Sequence, residues 1–219
     1  TPHVEEIDGT TYLAAGLGKG GRGVYSLTVD DAKDVSLSAS GLINWEFDTG
    51  DETGTPNDLG YVYGGAYVVE TNAGPAVIFG NGYNSDSEEA VLYVMHAADQ
   101  GTDGRGDILH KFEPQDGDSP TCNGMSSPAI IDYDLDGIVD YVYAGDLNGN
   151  LWKFDLTADS PSGWSTAYGG EPFFKARDGN GNPQPITCEP DVMFHCDNNR
   201  DGFIVAFGTG KLLGNSDLQ

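Results

Sequence analysis

Short apolar segments that end in glycine recur along the chain at a nearly constant spacing. The glycines are Gly16, Gly80, Gly145 and Gly208, which lie 64, 65 and 63 residues apart. A regular period of this length is the signature of a repeat architecture. The pattern therefore predicts structural units of about 64 residues.

Further apolar and aromatic segments fall at matching places in the first three units. A turn and an aromatic strand follow each glycine, and another apolar or aromatic residue lies 29 positions after it: Trp45, Leu109 and Phe174. Together with the segments at 66–70 and 129–132, this gives about four strands in a unit. Four strands in each repeat is how a β-propeller blade is built.

We therefore predict an all-β fold, a β-propeller of four-stranded blades. Residues 1–219 form a single propeller-type domain fragment with about three and a half blades. Propellers close a ring of four to eight blades. We expect this chain to be either a fragment of a longer protein or part of a ring that another copy or another chain completes.

An aspartate-rich loop at 132–140 interrupts the third unit. Asp132, Asp134, Asp136 and Asp140 occupy loop positions 1, 3, 5 and 9, and a glycine stands at position 6. Calcium binds six to eight oxygens, and this spacing points carboxylates and a carbonyl inward. The backbone carbonyl of Ile138 would supply position 7. The loop is predicted to bind Ca²⁺.

Position 12 of this loop is Tyr143, where a helical EF-hand carries a glutamate, so the loop leads into a strand instead. An ordinary Asp/Gly-rich turn held by local hydrogen bonds is the alternative. Four carboxylates within nine residues would repel one another without a cation, which favours calcium. A possible weak second site follows in the fourth unit, with Asp197, Asn199 and Asp201 at positions 1, 3 and 5 but a valine at position 9.

Charge narrows the classes of partner. The chain has 10 Lys and Arg residues against 35 Asp and Glu residues, a net charge of −25. Such a surface argues against nucleic acid and against an anionic membrane surface, and favours cations. No apolar run approaches the length of a membrane span, so we expect no direct membrane insertion.

The three cysteines are Cys122, Cys188 and Cys196. A local disulfide between Cys188 and Cys196 would imply an oxidising compartment, whereas a zinc site with His195 lacks the usual spacing. Gly18–Gly23 matches a dinucleotide-binding pattern, but a strand follows where a helix is needed. With no recognisable catalytic set, we predict that the protein is not an enzyme.

Four segments in order resemble one family. They are GLGKGGRGVYSL at 16–27, FGNGYNS at 79–85, the run at 132–156 and FGTGK at 207–211. Together they are similar to the carboxy-terminal domain of PilC/PilY-type proteins, which are associated with the tip of type IV pili.

The resemblance implies a modified β-propeller with a calcium loop, whose ligands would be Asp132, Asp134, Asp136, the backbone of Ile138, and Asp140. It implies a role in pilus extension, twitching motility and surface attachment. Minor pilins at the pilus tip, and a host or abiotic surface, would be the partners. The location would be the cell surface, pilus tip or outer membrane of a Gram-negative bacterium.

Two other functions share parts of the pattern. An FG-GAP propeller of the integrin type carries DxDxDGxxD between adjacent strands and would serve as a binding module. A quinoprotein dehydrogenase-like propeller shares the glycine and aromatic repeats, but the aspartate loop here lies within a blade hairpin, with no acid and base facing a central cofactor.

Overall fold

The computed structural model of the protein describes most of the chain. The described residues are 1–29, 42–51, 56–101, 104–115, 122–195 and 202–214. Within them, no helix has the length and apolar character that a membrane crossing requires. The helical segments that the structure assigns there are three-residue 3-10 turns at Gly18–Gly20, Pro161–Gly163 and Tyr168–Gly170.

Two complete four-stranded antiparallel sheets form the first half of the chain, each in simple meander order. The first contains β1 (His3–Ile7), β2 (Thr10–Gly16), β3 (Gly23–Thr28) and β4 (Ile43–Asp48). The second contains β5 (Tyr67–Thr71), β6 (Gly74–Gly80), β7 (Leu92–His96) and β8 (Ile108–Phe112). These are the first two predicted blades.

The third sheet repeats this order with a divided outer strand. It is built from β9 (Ala129–Ile131), β10 (Tyr141–Gly145) and β11 (Asn150–Asp155). Both β12 (Ser165–Thr166) and β13 (Phe174–Lys175) pair with β11, at opposite ends of it. A two-stranded sheet of β14 (Asp191–Phe194) and β15 (Phe203–Ala206) begins the fourth unit. The prediction of about three and a half four-stranded blades is confirmed.

The middle blade is apolar on both faces because it packs between two others. On β6, Val77 and Phe79 join a core cluster with the first blade, and Ile78 joins a second cluster with the third blade. The alternation follows the two-residue period of a strand. A strand buried on both faces reads as an unbroken apolar run, which is what the sequence has at 76–79.

The recurring glycines have a packing role. A Cβ added to Gly16 would lie 2.7 Å from the carbonyl oxygen of Val62, and one on Gly80 would lie 2.2 Å from that of Ser126. One on Gly145 would meet the side chain of Ile186 at 2.3 Å. In each case the neighbour belongs to the segment that enters the next unit. The 64-residue period therefore marks the places where one blade's chain passes closely over the previous blade.

Candidate metal centre

The aspartate loop occupies a connection that is a tight turn in the earlier blades. Residues 132–140 join β9 to β10, whereas two residues join β1 to β2 and two join β5 to β6. The first of those turns is Asp8-Gly9, with φ of 50° and 80°, a common pair for a hairpin. The third blade thus carries an enlarged loop at a place where its neighbours have none.

Three carboxylates converge inside this loop. Asp132, Asp134 and Asp136 each place one oxygen within 4.8 Å of the others. Oxygens bound to one calcium at 2.3–2.6 Å can lie at most about 5 Å apart, so this separation fits a shared Ca²⁺. Within the described part of the chain, no lysine or arginine pairs with them. The three carboxylates therefore have no basic partner among the described residues.

The backbone of the loop curls around the first aspartate. Asp132 Oδ1 accepts hydrogen bonds from the N–H groups of Leu135 (2.7 Å) and Asp136 (3.2 Å), and Asp132 Oδ2 accepts one from Gly137 (2.8 Å). Two left-handed residues make this curl possible, Leu135 with φ 63° and Gly137 with φ 92°. The glycine at position 6 therefore provides the sharp turn that the spacing requires.

The two remaining predicted ligands occupy different surroundings. Asp140 is outside the three-carboxylate cluster, and its Oδ2 accepts the N–H of Tyr133 at 2.7 Å across the base of the loop. Ile138 donates its N–H to Asp136 Oδ1 at 2.8 Å. Among the residues that the structure describes, its carbonyl accepts no hydrogen bond, which leaves that oxygen available at position 7.

The loop also contacts the neighbouring blade. Val139 donates its N–H to the carbonyl oxygen of Glu70 at 2.9 Å, and Ile138 forms a parallel bridge with Glu70. Burial raises the pKa of the Glu70 carboxyl, and the nearby Asp8 raises it further. Sequence reasoning did not identify Glu70, because its place beside the loop comes from the packing of two blades.

Several residues that the sequence analysis identified lie outside the residues that the structure describes. Asp197, Asn199 and Asp201 of the possible second site are outside the described residues, as is Cys196. Cys188 is exposed and forms no disulfide with another described cysteine, and its Sγ accepts the N–H of Gly208 at 3.2 Å. The Cys188–Cys196 disulfide stays a prediction.

Comparison with known proteins shows which family has this architecture. A family model described as the PilY1 beta-propeller domain matches residues 4–219. The chain belongs to this family. The prediction from the four sequence segments is confirmed, and the match favours the pilus family over the FG-GAP and quinoprotein alternatives.

Relatives of known name agree with this assignment. The chain is 36% identical over its whole length to the type IV pilus biogenesis factor PilY1 of Pseudomonas aeruginosa strain UCBPP-PA14, and spans 19% of that protein. It is 35% identical over 96% of its length to a PilY1 homolog of Xylella fastidiosa, and spans 14% of it. The crystal structure of the Pseudomonas aeruginosa PilY1 C-terminal domain superposes with a TM-score of 0.82 and 34% identity, covering all of this chain and 46% of that one.

One buried carboxyl in this PilY1-type propeller was missed by sequence reasoning. Asp146 follows the glycine that ends β10 and is fully buried. It accepts hydrogen bonds from the side chains of Asn123, Asn150 and Trp152 and from the Asn150 N–H. Burial raises the pKa of Asp146, while these donors favour the charged form. In the sequence this residue is one aspartate among many, so no signal distinguished it.

Proposed function

We propose that the chain is a non-enzymatic, calcium-binding part of a type IV pilus biogenesis and adhesion factor. The observation that carries the proposal is the convergence of Asp132, Asp134 and Asp136 within 4.8 Å, in a loop that contacts two blades. Membership of the PilY1 family supports the pilus role. Ca²⁺ would be held by these three residues, the Ile138 carbonyl and Asp140. Asp140 would contribute indirectly, either by holding the base of the loop together or through a water that bridges it to the ion.

Calcium would supply positive charge to a loop whose own carboxylates repel one another. When the ion is bound, the loop is held in one conformation and its contact with the second blade is fixed through the Val139–Glu70 hydrogen bond. A ligand present at 100 times its dissociation constant stabilises the state that binds it by about 2.7 kcal/mol. That is enough to shift a marginal loop between ordered and open states. Calcium would thus control how this surface takes part in pilus extension.

The partners follow from the same proposal. Minor pilins at the pilus tip, together with a host or abiotic surface, would contact the protein at the cell surface, pilus tip or outer membrane. Pilus-dependent twitching motility and attachment would then depend on calcium occupancy. The aspartate loop is the element that would connect the ion to these activities.

Binding is tested by calorimetric titration of Ca²⁺ into the protein and into the Asp134→Asn variant. Asp134 is exposed and accepts only a 3.3 Å contact from the Asp136 N–H, so the change removes a ligand with little effect on packing. We expect affinity to fall by at least about tenfold, corresponding to 1.4 kcal/mol. The matched control is Asp159→Asn, an exposed aspartate in another loop of the third blade. Equal titrations for parent and Asp134→Asn would refute calcium binding at this loop.

The pilus role needs a separate measurement. The Asp134→Asn and Asp159→Asn changes are introduced into the gene that encodes this chain. Surface pili and attached cells are then counted, and the diameters of the twitching zones are measured. We expect the first variant to be impaired and the second to match the parent. Normal piliation and attachment by a variant that no longer binds calcium would contradict the proposed control, while leaving the family assignment intact.

A further inference from the structure

Asparagine followed by glycine is the residue pair that loses side-chain ammonia most readily in proteins. The main-chain nitrogen of the glycine attacks the side-chain amide of the asparagine. Because glycine has no side chain, that nitrogen is open to approach and the backbone bends easily toward the amide. The sequence contains four such pairs, at 81–82, 123–124, 148–149 and 180–181. The fold places them in very different surroundings.

The first two pairs are held inside the fold by their own side chains. Asn81 is fully buried, and its side chain makes four hydrogen bonds to main-chain groups. Asn123 is 7% exposed, its Nδ2 donates to Asp146 Oδ2 at 3.1 Å, and its Oδ1 accepts the Leu147 N–H at 3.0 Å. An amide that is bonded on both sides cannot turn toward the next main-chain nitrogen unless the surrounding structure opens.

The third pair is covered by a later segment of the chain. Asn148 is 7% exposed, and its carbonyl accepts a hydrogen bond from Arg177 Nη1 at 2.9 Å. A Cβ on Gly149 would lie 2.5 Å from the carbonyl oxygen of Gln184 and 2.8 Å from that of Ala176, so main chain packs directly against this glycine. Such crowding opposes formation of the five-membered ring through which the reaction must pass.

The fourth pair has none of this protection. Asn180 and Gly181 are both exposed, in the turn between Asp178 and Asn182. The Asn180 N–H donates to Asp178 Oδ1 at 2.8 Å, but its side chain makes no hydrogen bond within the described part of the chain. A Cβ on Gly181 would meet nothing within 4 Å, so the space beside its nitrogen is open.

The interactions that oppose the attack all involve Asp178. The Gly181 N–H donates to the Asp178 carbonyl at 3.0 Å and also faces its carboxylate, so the nitrogen must leave these acceptors before it reacts. Water replaces such a bond in an exposed turn, and the bond therefore slows the reaction only about tenfold relative to an unfolded chain. Reaction at the three buried pairs requires a much larger opening of the fold.

We propose that Asn180 is a site of spontaneous deamidation, and that it is the one Asn–Gly pair of the four that reacts in the folded protein. The Gly181 nitrogen forms a bond to Cγ of Asn180, the bond from Cγ to Nδ2 breaks, and ammonia leaves with the proton that the Gly181 nitrogen gives up. Water then opens the resulting succinimide ring at either of its two carbonyls. The products are aspartate and isoaspartate, and each carries a negative charge that asparagine lacks.

The change would alter the turn in two ways. The new carboxylate at 180 would lie two positions from that of Asp178, which accepts the N–H groups of Asn180 and Asn182 at 2.8 Å each. Isoaspartate also lengthens the main chain by one carbon, which would disturb the hydrogen bond from the Asp178 N–H to the Asn182 carbonyl, 2.9 Å long. The bridge between Arg177 and Pro183 beside this turn would therefore loosen as the protein ages.

Storage of the intact chain in mildly alkaline buffer tests the proposal, because the attacking nitrogen must lose its proton. Peptide mapping by mass spectrometry follows the conversion of each amide to an acid and locates the residue from the fragment spectra. Protein isoaspartyl methyltransferase, with a labelled methyl donor, detects isoaspartate. We expect Asn180 to convert at least about tenfold faster than the other three pairs, a difference of about 1.4 kcal/mol in activation free energy. Conversion should be slower in mildly acidic buffer.

Two controls separate ring closure from simple hydrolysis of the amide. Asn182 is exposed like Asn180, but Pro183 follows it and has no N–H that could become a nucleophile. Its amide should therefore persist. Storage of the chain unfolded in guanidinium chloride is the second control, and all four Asn–Gly pairs should then convert at similar rates, because only the fold protects three of them.

Two variants test the assigned residue. Asn180→Gln should remove the methyl label, because the longer side chain closes a ring far more slowly. Asn182→Gln makes the same change two positions away and should leave the label in place. Conversion of Asn180 in the folded protein that is no faster than at the buried pairs would overturn the proposal. Equal loss of the amide at Asn182, or a label that persists in Asn180→Gln, would overturn it as well.

Discussion

Replacing Gly80 with alanine should destabilise the protein strongly, although it adds a single methyl group. The new Cβ would lie 2.2 Å from the Ser126 carbonyl oxygen and 2.7 Å from that of Met125. Ordinary contact begins near 3.4 Å, so the main chain at Ser126 would have to move by about 1.2 Å. Both neighbours are backbone atoms, which cannot rotate away as a side chain can.

That movement would strain several hydrogen bonds that fix the entry to the third blade. Met125 donates its N–H to Asn81 Oδ1 at 2.9 Å and accepts from the Gly82 N–H at 3.0 Å, and Ser126 donates to Gly145. Overpacking in a core costs about 1–3 kcal/mol, and each weakened hydrogen bond costs about 0.5–1.5 kcal/mol. We therefore expect a loss of about 3 kcal/mol. For a chain of this size, the melting temperature would fall by roughly 6–12 °C.

Urea denaturation with excess calcium in all samples measures this loss, because a constant calcium concentration keeps the contribution of binding equal. Gly20→Ala is the control, since a Cβ there meets nothing within 4 Å and the φ of Gly20 is not positive. It should be neutral or slightly stabilising. Gly145→Ala should also be destabilising, because its new Cβ would lie 2.5 Å from the Cβ of Ile186, an atom that side-chain rotation does not move. A Gly80→Ala variant as stable as Gly20→Ala would refute this explanation of the repeat.

Three further predictions concern other places in the fold. Leu135 is 75% exposed and has a φ of 63°. Because asparagine tolerates this left-handed conformation, Leu135→Asn should raise the free energy of unfolding by about 0.5–1 kcal/mol in urea melts. A decrease would contradict this explanation. Asp146→Ala leaves the Trp152 Nε1 donor buried without its acceptor. We expect the free energy of unfolding to fall by about 3 kcal/mol and the tryptophan fluorescence to change. Stability equal to that of the parent protein would show that Asp146 does not stabilise the fold in this way. Burial lowers the pKa of His110 below 6.5. As the pH drops below 6.5, the unfolded chain therefore binds a proton at His110 before the folded protein does, and the free energy of unfolding should fall. His110→Gln should make this fall with pH less steep, and an equally steep fall would rule out His110 as its source.

The aspartate loop at 132–140 combines a locally determined fold with contacts to distant parts of the chain. Its first six positions fold around Asp132 through their own backbone, which depends on nearby residues alone. Its end is bound to the second blade at Glu70 and to Leu156, the residue after β11, whose N–H donates to the Asp140 carbonyl at 2.8 Å. Removal of the proposed calcium ion should therefore loosen the β9–β10 connection first and the contact between the blades next.

The sequence by itself determined the elements that depend on local order. The 64-residue spacing of Gly16, Gly80 and Gly145 gave the blade count, because each glycine stands where the next unit's chain must pass. The alternating aspartates gave the loop, because carboxylates two positions apart on a tight turn point to one centre. In both cases residues close in the chain carry the whole signal.

Only the tertiary structure decided which residues of one blade contact the next blade. The third blade has a divided outer strand, β12 and β13, which the repeat pattern did not show because each piece is only two residues long. Glu70 forms a bridge with Ile138 of the aspartate loop, although more than 60 residues separate the two in the chain. Such groups are assembled by the packing of one blade on the next, and a pattern read along a single strand does not contain that information.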